Sequence, residues 1–395
     1  MSFLIFLLSV QVLSILLSLM KFISHKFMIS IIRFSYASFL LFSGFVKLID
    51  PLGFSYKLQE YFEVFGFDFL IPFSLLMSIF VILFEMFLGI CLILGIHVRK
   101  IVWGNLMLMV FFTFLTFFSA YFNKVTDCGC FGDFMKLDPW TSFTKDIYLL
   151  IISFLLLFSQ QYITPLTKSI KMNNGVLLIS FIILLFIPIH ALSFLPFIDF
   201  RPYKIGVDII KDKNLPENAK QDVFKDIWYY EVNGEIKEFS TDDEPWKIDG
   251  AIFKDRSTLL VSKGDEPKIK DFDLVDEITD VNMTDSILNM DKVILVISHD
   301  IQKTNIAGHQ KIHNLLNNIS KESTFPVYGL SSSSIDEIKN KLSKSDLLYP
   351  YFLVDQTTLK TMIRANPGIF LLQDGIVIEK MHWRDLPDDI SMIMH

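Results

Sequence analysis

Five stretches of this chain are apolar, almost free of charge and close to the ~20 residues that a bilayer-spanning helix needs. They cover roughly 28–46, 70–95, 101–122, 143–161 and 176–196. Lipid offers no water to unpaired N–H and C=O groups, so such segments must satisfy their backbones internally, as α-helices. An earlier run, 3–20 (FLIFLLSVQVLSILLSLM), is also long enough to span. It lacks the basic start of a signal peptide. It reads either as an extra helix or as sequence ahead of a true start at Met28.

The apolar character ends near Phe197. Residues 1–196 hold 12 Lys and Arg against 9 Asp and Glu, whereas residues 197–395 hold 24 against 34. The mean hydropathy of +0.45 is therefore an average over two unlike halves, a membrane half and an acidic soluble half. Excess negative charge argues against nucleic acid as a partner. The expected divisions are an N-terminal apolar segment (1–27), a membrane domain (28–161), a linker with a further transmembrane helix (162–196), a β-rich segment (197–290) and an α/β domain (291–395).

Basic loops set the expected orientation. His97–Lys100 (HVRK) and Thr167–Lys171 (TKSIK) fall on one side with Lys21 and Lys26, and the positive-inside rule places that side in the cytoplasm. The loops 47–69 and 123–142 then face outward, as does everything after residue 196. In a bacterium that side is the periplasm, where disulfides persist.

Two of the chain's three cysteines lie in the second outward loop, in Asp127–Asp133 (DCGCFGD). Asp138 as N-cap and Pro139 at the first helical position mark the helix that follows. Cys128 and Cys130 reach bonding distance only if the backbone bends tightly, which Gly129 permits. A disulfide closed over so few atoms removes little unfolded-chain entropy and is readily reduced, so the pair suits electron exchange better than stapling. Two plainer readings stand beside it. The cysteines could be half of a zinc site, for which the outer region supplies no further cysteine, or they could simply shape the loop. Cys91, inside an apolar run, reads as a small buried hydrophobe. Glu85 in the same run is an ionisable group at membrane depth, a functional candidate as much as a structural one.

Together FLLFSGFVKLIDPLGFSYKLQEYF, FEMFLGICLILGIHVRKIVW and DCGCFGDFMKLDPWTSFTKDIYLL resemble the DoxX-like/MauE-type membrane proteins of bacteria, with the Bacteroidetes version most similar. The resemblance covers about residues 28–160. It implies a four-helix bundle linked to periplasmic maturation of redox proteins by passage of thiol or disulfide equivalents. By position, Cys128, Gly129, Cys130, Phe131, Gly132 and Asp133 match the family's loop motif, and Pro139 and Trp140 match its helix entry. Lys47, Asp50, Pro51 and Tyr61 match the first outer loop, and Glu85, Gly89 and Gly95 the second helix. The extra 27 N-terminal residues are a departure.

In the soluble half, DIWYYEVNGEIKEFS reads as a hairpin turning at Asn233-Gly234. From Asp291 strands and helices alternate: KVILVIS, TNIAGHQKIHNLLNNIS, FPVYGLSS, SIDEIKNKL, YFLVD, GIFLLQD and IVIEKMHW, the last two joined by a turn at Asp374-Gly375. The order resembles a thioredoxin-like domain, and the resemblance puts a cis proline at Pro367. Where active members carry C-x-x-C, this chain has Ser298–Lys303 (SHDIQK), and the whole half lacks cysteine. His309 and His313, four apart, read as solvated surface rather than metal ligands.

The expected fold is thus a polytopic α-helical membrane bundle, four-helix core plus flanking helices, followed by a soluble thioredoxin-like α/β domain. The expected site is Cys128 and Cys130, supported by Glu85, Gly129, Asp133 and Trp140, with no metal. Quinone or a second thiol protein would be the electron partner, and a periplasmic thiol/disulfide protein the client. The rival function is a non-catalytic module in which the bundle anchors a docking domain.

Overall fold

The computed structural model describes residues 2–125, 129–262, 264–319, 325–342 and 349–387. Seven helices come first: α1 (Ser2–Leu19), α2 (His25–Ile49), α3 (Pro51–Phe65), α4 (Ser74–Leu94), α5 (Val98–Phe122), α6 (Pro139–Phe158) and α7 (Ile170–Ser193). Among the described residues, five helices are long and apolar enough to cross a membrane: α2, α4 with the 3-10 turn before it, α5, α6 and α7. The protein is therefore a multi-pass membrane protein. Each span lies within a few residues of its expected bounds.

The bundle core follows from helical spacing. On α2, Ile29, Ile32, Tyr36 and Leu40 fall on one face and are almost fully buried. They meet Leu88, Cys91 and Leu92 of α4, Val102 and Leu106 of α5, and Leu149 and Ile152 of α6. Cys91 is wholly enclosed here, as its apolar surroundings suggested. Large apolar side chains such as Phe80, Phe114 and Ile151 point outward, which suits lipid and would be costly in water. Helix α1 packs on α2, where Ser35 Oγ donates to the Leu7 carbonyl at 2.9 Å and Gln11 Nε2 donates to Ser35 Oγ at 3.2 Å.

The two groups of loops separate to opposite ends. Arg33, near the start of α2, donates to the carbonyls of Thr164 (2.7 Å) and Ile93 (2.9 Å), tying the α4 terminus to the segment after α6. The HVRK and TKSIK stretches thus lie at one end of the bundle. Asp50 and the residues after Cys128 lie at the other.

The stretch 47–69, expected as a loop, is mostly helix α3. Its signals are local. The Asp50 carboxylate accepts from Gly53 N at 3.1 Å, Pro51 occupies the first turn, and Gly66 closes the helix in the left-handed region (φ +72°). Phe54, Leu58, Tyr61 and Phe62 bury one face. At 15 residues it is too short and too polar to register as a span.

After α7 the described residues form two sheets. The first is β1 (Val223–Val232), β2 (Glu235–Ser240) and β3 (Ile252–Ser262), in order β2-β1-β3, all antiparallel. The Asn233-Gly234 hairpin is present with both residues at positive φ. β3 was not legible; in residues 266–276 the chain makes isolated bridges at Val275.

The second sheet holds β4 (Lys292–Ser298), β5 (Val327–Ser331), β6 (Tyr351–Leu353), β7 (Gly368–Gln373) and β8 (Ile376–His382), in order β6-β5-β4-β7-β8. β4 pairs parallel with β5 and antiparallel with β7. Helices α8 (Ile209–Lys213), α9 (Thr284–Leu288), α10 (Ile306–Ile319), α11 (Ile335–Leu342) and α12 (Gln356–Met362) complete the region. The Asn366-Pro367 bond is cis.

The expectation for His309 is corrected. It is buried, and its Nε2 lies 3.1 Å from both Ser298 Oγ and Thr304 Oγ1. It shares a helix face with Ile312 and Leu316, which pack into the core. Desolvation pushes its imidazole down to about 4, so it is neutral at ordinary pH. His313 is half-buried.

Candidate functional site

Helix α3 forms the floor on which the cysteine loop sits. Gly129 has φ +68°, and a side chain there would lie 3.0 Å from Lys57 Cγ, so both conformation and space call for glycine. Cys128 lies outside the described residues. Cys130 does not stand out on the surface: it is buried, 9% exposed, in the same core cluster as Phe39 and Leu149. Ser43 Oγ of α2 donates to its carbonyl at 3.2 Å. The loop thus turns its second cysteine into the bundle.

Beneath Cys130 lies a cavity of about 20 Å³. Its polar lining is Cys130, Ser43, Lys47, Glu85, Lys145 and Asp146, and the rest of its wall includes Phe39, Met109 and Leu149. That volume admits a water molecule and falls far short of a quinone ring. Lys47 Nζ lies 2.5 Å from Glu85 Oε2, both side chains 1% exposed. Lys47 also lies over the Phe112 and Phe54 rings, 4.6 and 5.3 Å from their centroids. Lys145 Nζ lies 2.8 Å from Asp146 Oδ1, and Thr116 Oγ1 donates to Asp146 Oδ2 at 3.0 Å. Lys145 Nζ is 5.0 Å from the Phe131 ring centroid, which fixes it beside the cysteine loop. Four ionisable groups therefore face one small cavity inside the bundle. Charges in such a place persist only when paired.

Sequence reasoning singled out Glu85 from this set and missed Lys145 and Asp146. The same criterion, an ionisable side chain in a membrane span, applies to both. They lie two turns into α6.

A second polar junction joins the loop to the C-terminal region. Arg364, in the stretch between α12 and β7, reaches Asp50 with Nε (3.0 and 2.9 Å to the two carboxylate oxygens) and Nη2 (2.7 Å). Nη2 also meets Asp133 Oδ2 at 3.3 Å. Burial disfavours the Asp50 carboxylate, and the Arg364 guanidinium outweighs it, holding that carboxyl below its usual range. Lys360 and Arg364 lie over the Tyr56 ring, 4.6 and 5.4 Å from its centroid. Gly53 makes room: a Cβ there would stand 2.9 Å from Asp50 Oδ2 and 3.1 Å from Arg364 Nη2. Gly53→Val is accordingly expected to open this junction and crowd the Asp50 cap, lowering the melting temperature by a few degrees; an unchanged melting curve would show that the junction yields without cost. Phe134 and Phe200 add an edge-on ring contact at 5.1 Å between the loop and the linker.

The structure thus gathers Cys130, Gly129 and Asp133 at one end of the bundle, with Glu85 below them. Trp140 does not join them. It is 56% exposed and packs edge-on against Phe143 of its own helix. Among the described residues, no group of three or more His, Cys, Asp or Glu is placed to hold a metal.

Residues 25–159 match the family model described as methylamine utilisation protein MauE. That span runs from α2 to the end of α6, about a third of the chain, and contains the cysteine loop and all four cavity charges. Together with the apolar helices it supports a MauE-type membrane protein. No curated protein and no solved structure matches.

Proposed function

We propose that this is a redox-associated bacterial inner-membrane protein that exchanges thiol and disulfide equivalents through Cys128 and Cys130 at the periplasmic face. The observation that carries the reading is that Cys130 lines a charged, water-sized cavity inside the bundle. A cysteine that only shaped the loop has no use for four buried ionisable groups, each costly to desolvate. The family match over 25–159 agrees in kind, since methylamine utilisation is redox chemistry. Basic residues at the far end of the bundle favour the periplasmic orientation.

The 291–395 region is thioredoxin-like on this reading. Its support is the five-stranded order with β4 and β5 parallel, β7 and β8 antiparallel, and α10 following β4. Ser298–Lys303 stands at the end of β4, so the region carries no dithiol of its own and acts as a docking element. The Arg364 junction favours that role and gives weight to the second reading, a membrane anchor that presents this domain to a periplasmic client.

Single Cys128→Ser and Cys130→Ser variants leave one thiolate without its resolving partner. Each is expected to accumulate mixed disulfides with a client, seen as slower bands on non-reducing gels, and the double variant to lose both bands and phenotype. Cys91→Ser is expected to do neither. Full complementation of a deletion strain by the double variant would leave the docking reading in possession.

A further inference from the structure

Lys145 and Asp146 are adjacent on α6, yet both turn toward the cavity that Cys130 lines. Asp146 is 2% exposed, and Thr116 Oγ1 holds its outer oxygen. Lys145 is held over Phe131, the residue after Cys130. Ser43 anchors the Cys130 backbone at the same lip. The cavity takes about one water, and its polar lining offers that water the two to four partners it needs. The other carboxylate on the wall, Glu85, is taken up by Lys47, and the remaining wall is largely apolar, so Asp146 is the stop left to a proton leaving the sulfur inward.

We propose that Lys145, Asp146 and a water in this cavity form the proton-accepting site of the Cys130 thiol. The inference rests on the thiol-exchange reading for its purpose, but not for its test. In the reduced protein the Cys130 S–H bond breaks and the proton passes through the water to the Asp146 carboxylate. The Lys145 ammonium stays beside the thiolate and offsets its charge. The thiolate attacks a client disulfide: a Cys130–client S–S bond forms, the client S–S bond breaks, and the departing client thiolate takes up the proton that Asp146 held. Cys128 then gives up its thiol proton and attacks Cys130 sulfur in that mixed disulfide, and the second client thiolate leaves and takes that proton up. The loop pair loses two electrons and the client disulfide gains them. Lys47 from α2 and Glu85 from α4 line the same cavity and neutralise one another, while Lys57 from α3 flanks Gly129 and Asp133 is taken up by Arg364. α5 contributes Met109 and Phe112 to the lining.

The test is the rate of Cys130 alkylation by iodoacetamide against pH, read by mass spectrometry on the full-length Cys128→Ser protein in detergent. Lys145→Met removes the cation and is expected to move the midpoint to higher pH, with about a tenfold slower reaction at pH 7. Asp146→Asn removes the opposing charge and is expected to move the midpoint the other way. Lys145→Arg keeps the charge and is expected to keep the midpoint. Damage to folding would not give opposite signs for two neighbours. Midpoints that stay put in both Lys145→Met and Asp146→Asn, or that move in the same direction, would overturn the proposal; should Lys145→Met fail to fold, a midpoint in Asp146→Asn that does not fall is enough to overturn it. Midpoints that separate as expected, in a protein that traps no client, would sustain the proton site and sink the exchange reading instead.

Discussion

Replacing Arg364 by leucine is expected to loosen the C-terminal region from the bundle. The substitution strands two carboxylates, Asp50 and Asp133, at a junction where the arginine itself is 4% exposed. Removing one partner of a buried pair costs about 3–5 kcal/mol. Asp50 and Asp133 are 20% and 22% exposed, so water recovers part of that. A loss of about 2–4 kcal/mol remains. Limited proteolysis between α7 and α8 should quicken accordingly. Asp50→Asn separates the two duties of that residue, because asparagine still caps α3 but cannot pair with a cation. It should reproduce part of the loosening without unwinding the helix. The pH dependence has a definite sign. Asp50 is lowered in the folded protein, so its contribution is complete above the unfolded carboxyl pKa of about 4 and fades as pH falls through the lower folded value. Proteolysis rates that do not change on Arg364→Leu would mean that the Phe134–Phe200 contact and the linker hold the region unaided.

The other large effect is expected at Lys47. Lys47→Met leaves the Glu85 carboxylate alone in the bundle interior. An uncompensated charge there costs about 3–5 kcal/mol, more than a hundredfold in the folded fraction. Folded yield, read as the monodisperse fraction on size exclusion in detergent, should collapse. The pair Lys47→Met with Glu85→Leu should recover much of it, since buried ion pairs are often replaced by apolar side chains without loss. Glu85→Gln alone should be milder than Lys47→Met, because the lysine retains two aromatic faces, those of Phe112 and Phe54. A Lys47→Met protein with normal yield would mean that Glu85 is neutral or finds another partner.

The spans were legible because hydrophobic length is a strong and local signal. So was the start of α6, where Asp138 accepts from Thr141 N at 3.0 Å. The hairpin at Asn233-Gly234 was legible for the same kind of reason, a turn chemistry few other residues satisfy. What escaped depended on distance in the chain. Arg364 and Asp50 are more than three hundred positions apart, and nothing near either announces the other. Lys145 and Asp146 were passed over because only the packed bundle turns both of them toward the cavity. His309 was misjudged because an isolated histidine on a helix carries no mark of whether Ser298 and Thr304 will enclose it. β3 was missed since its run, IFKDRSTLLVS, is mixed in polarity and almost wholly exposed in the sheet.

The Arg364 junction holds a long tethered region against the cysteine loop. A tether of this kind keeps its cargo at an effective concentration in the millimolar range. Any thiol on that cargo would meet the loop far more often than a client diffusing in from outside. Residues 197–395 contain no cysteine, and Cys91, the one thiol elsewhere in the chain, is fully enclosed between helices. Under thiol exchange at the loop the protein is thus inert toward its own most frequent collision partner. Self-capture is removed as a competing reaction, and the loop remains open to partners supplied in trans.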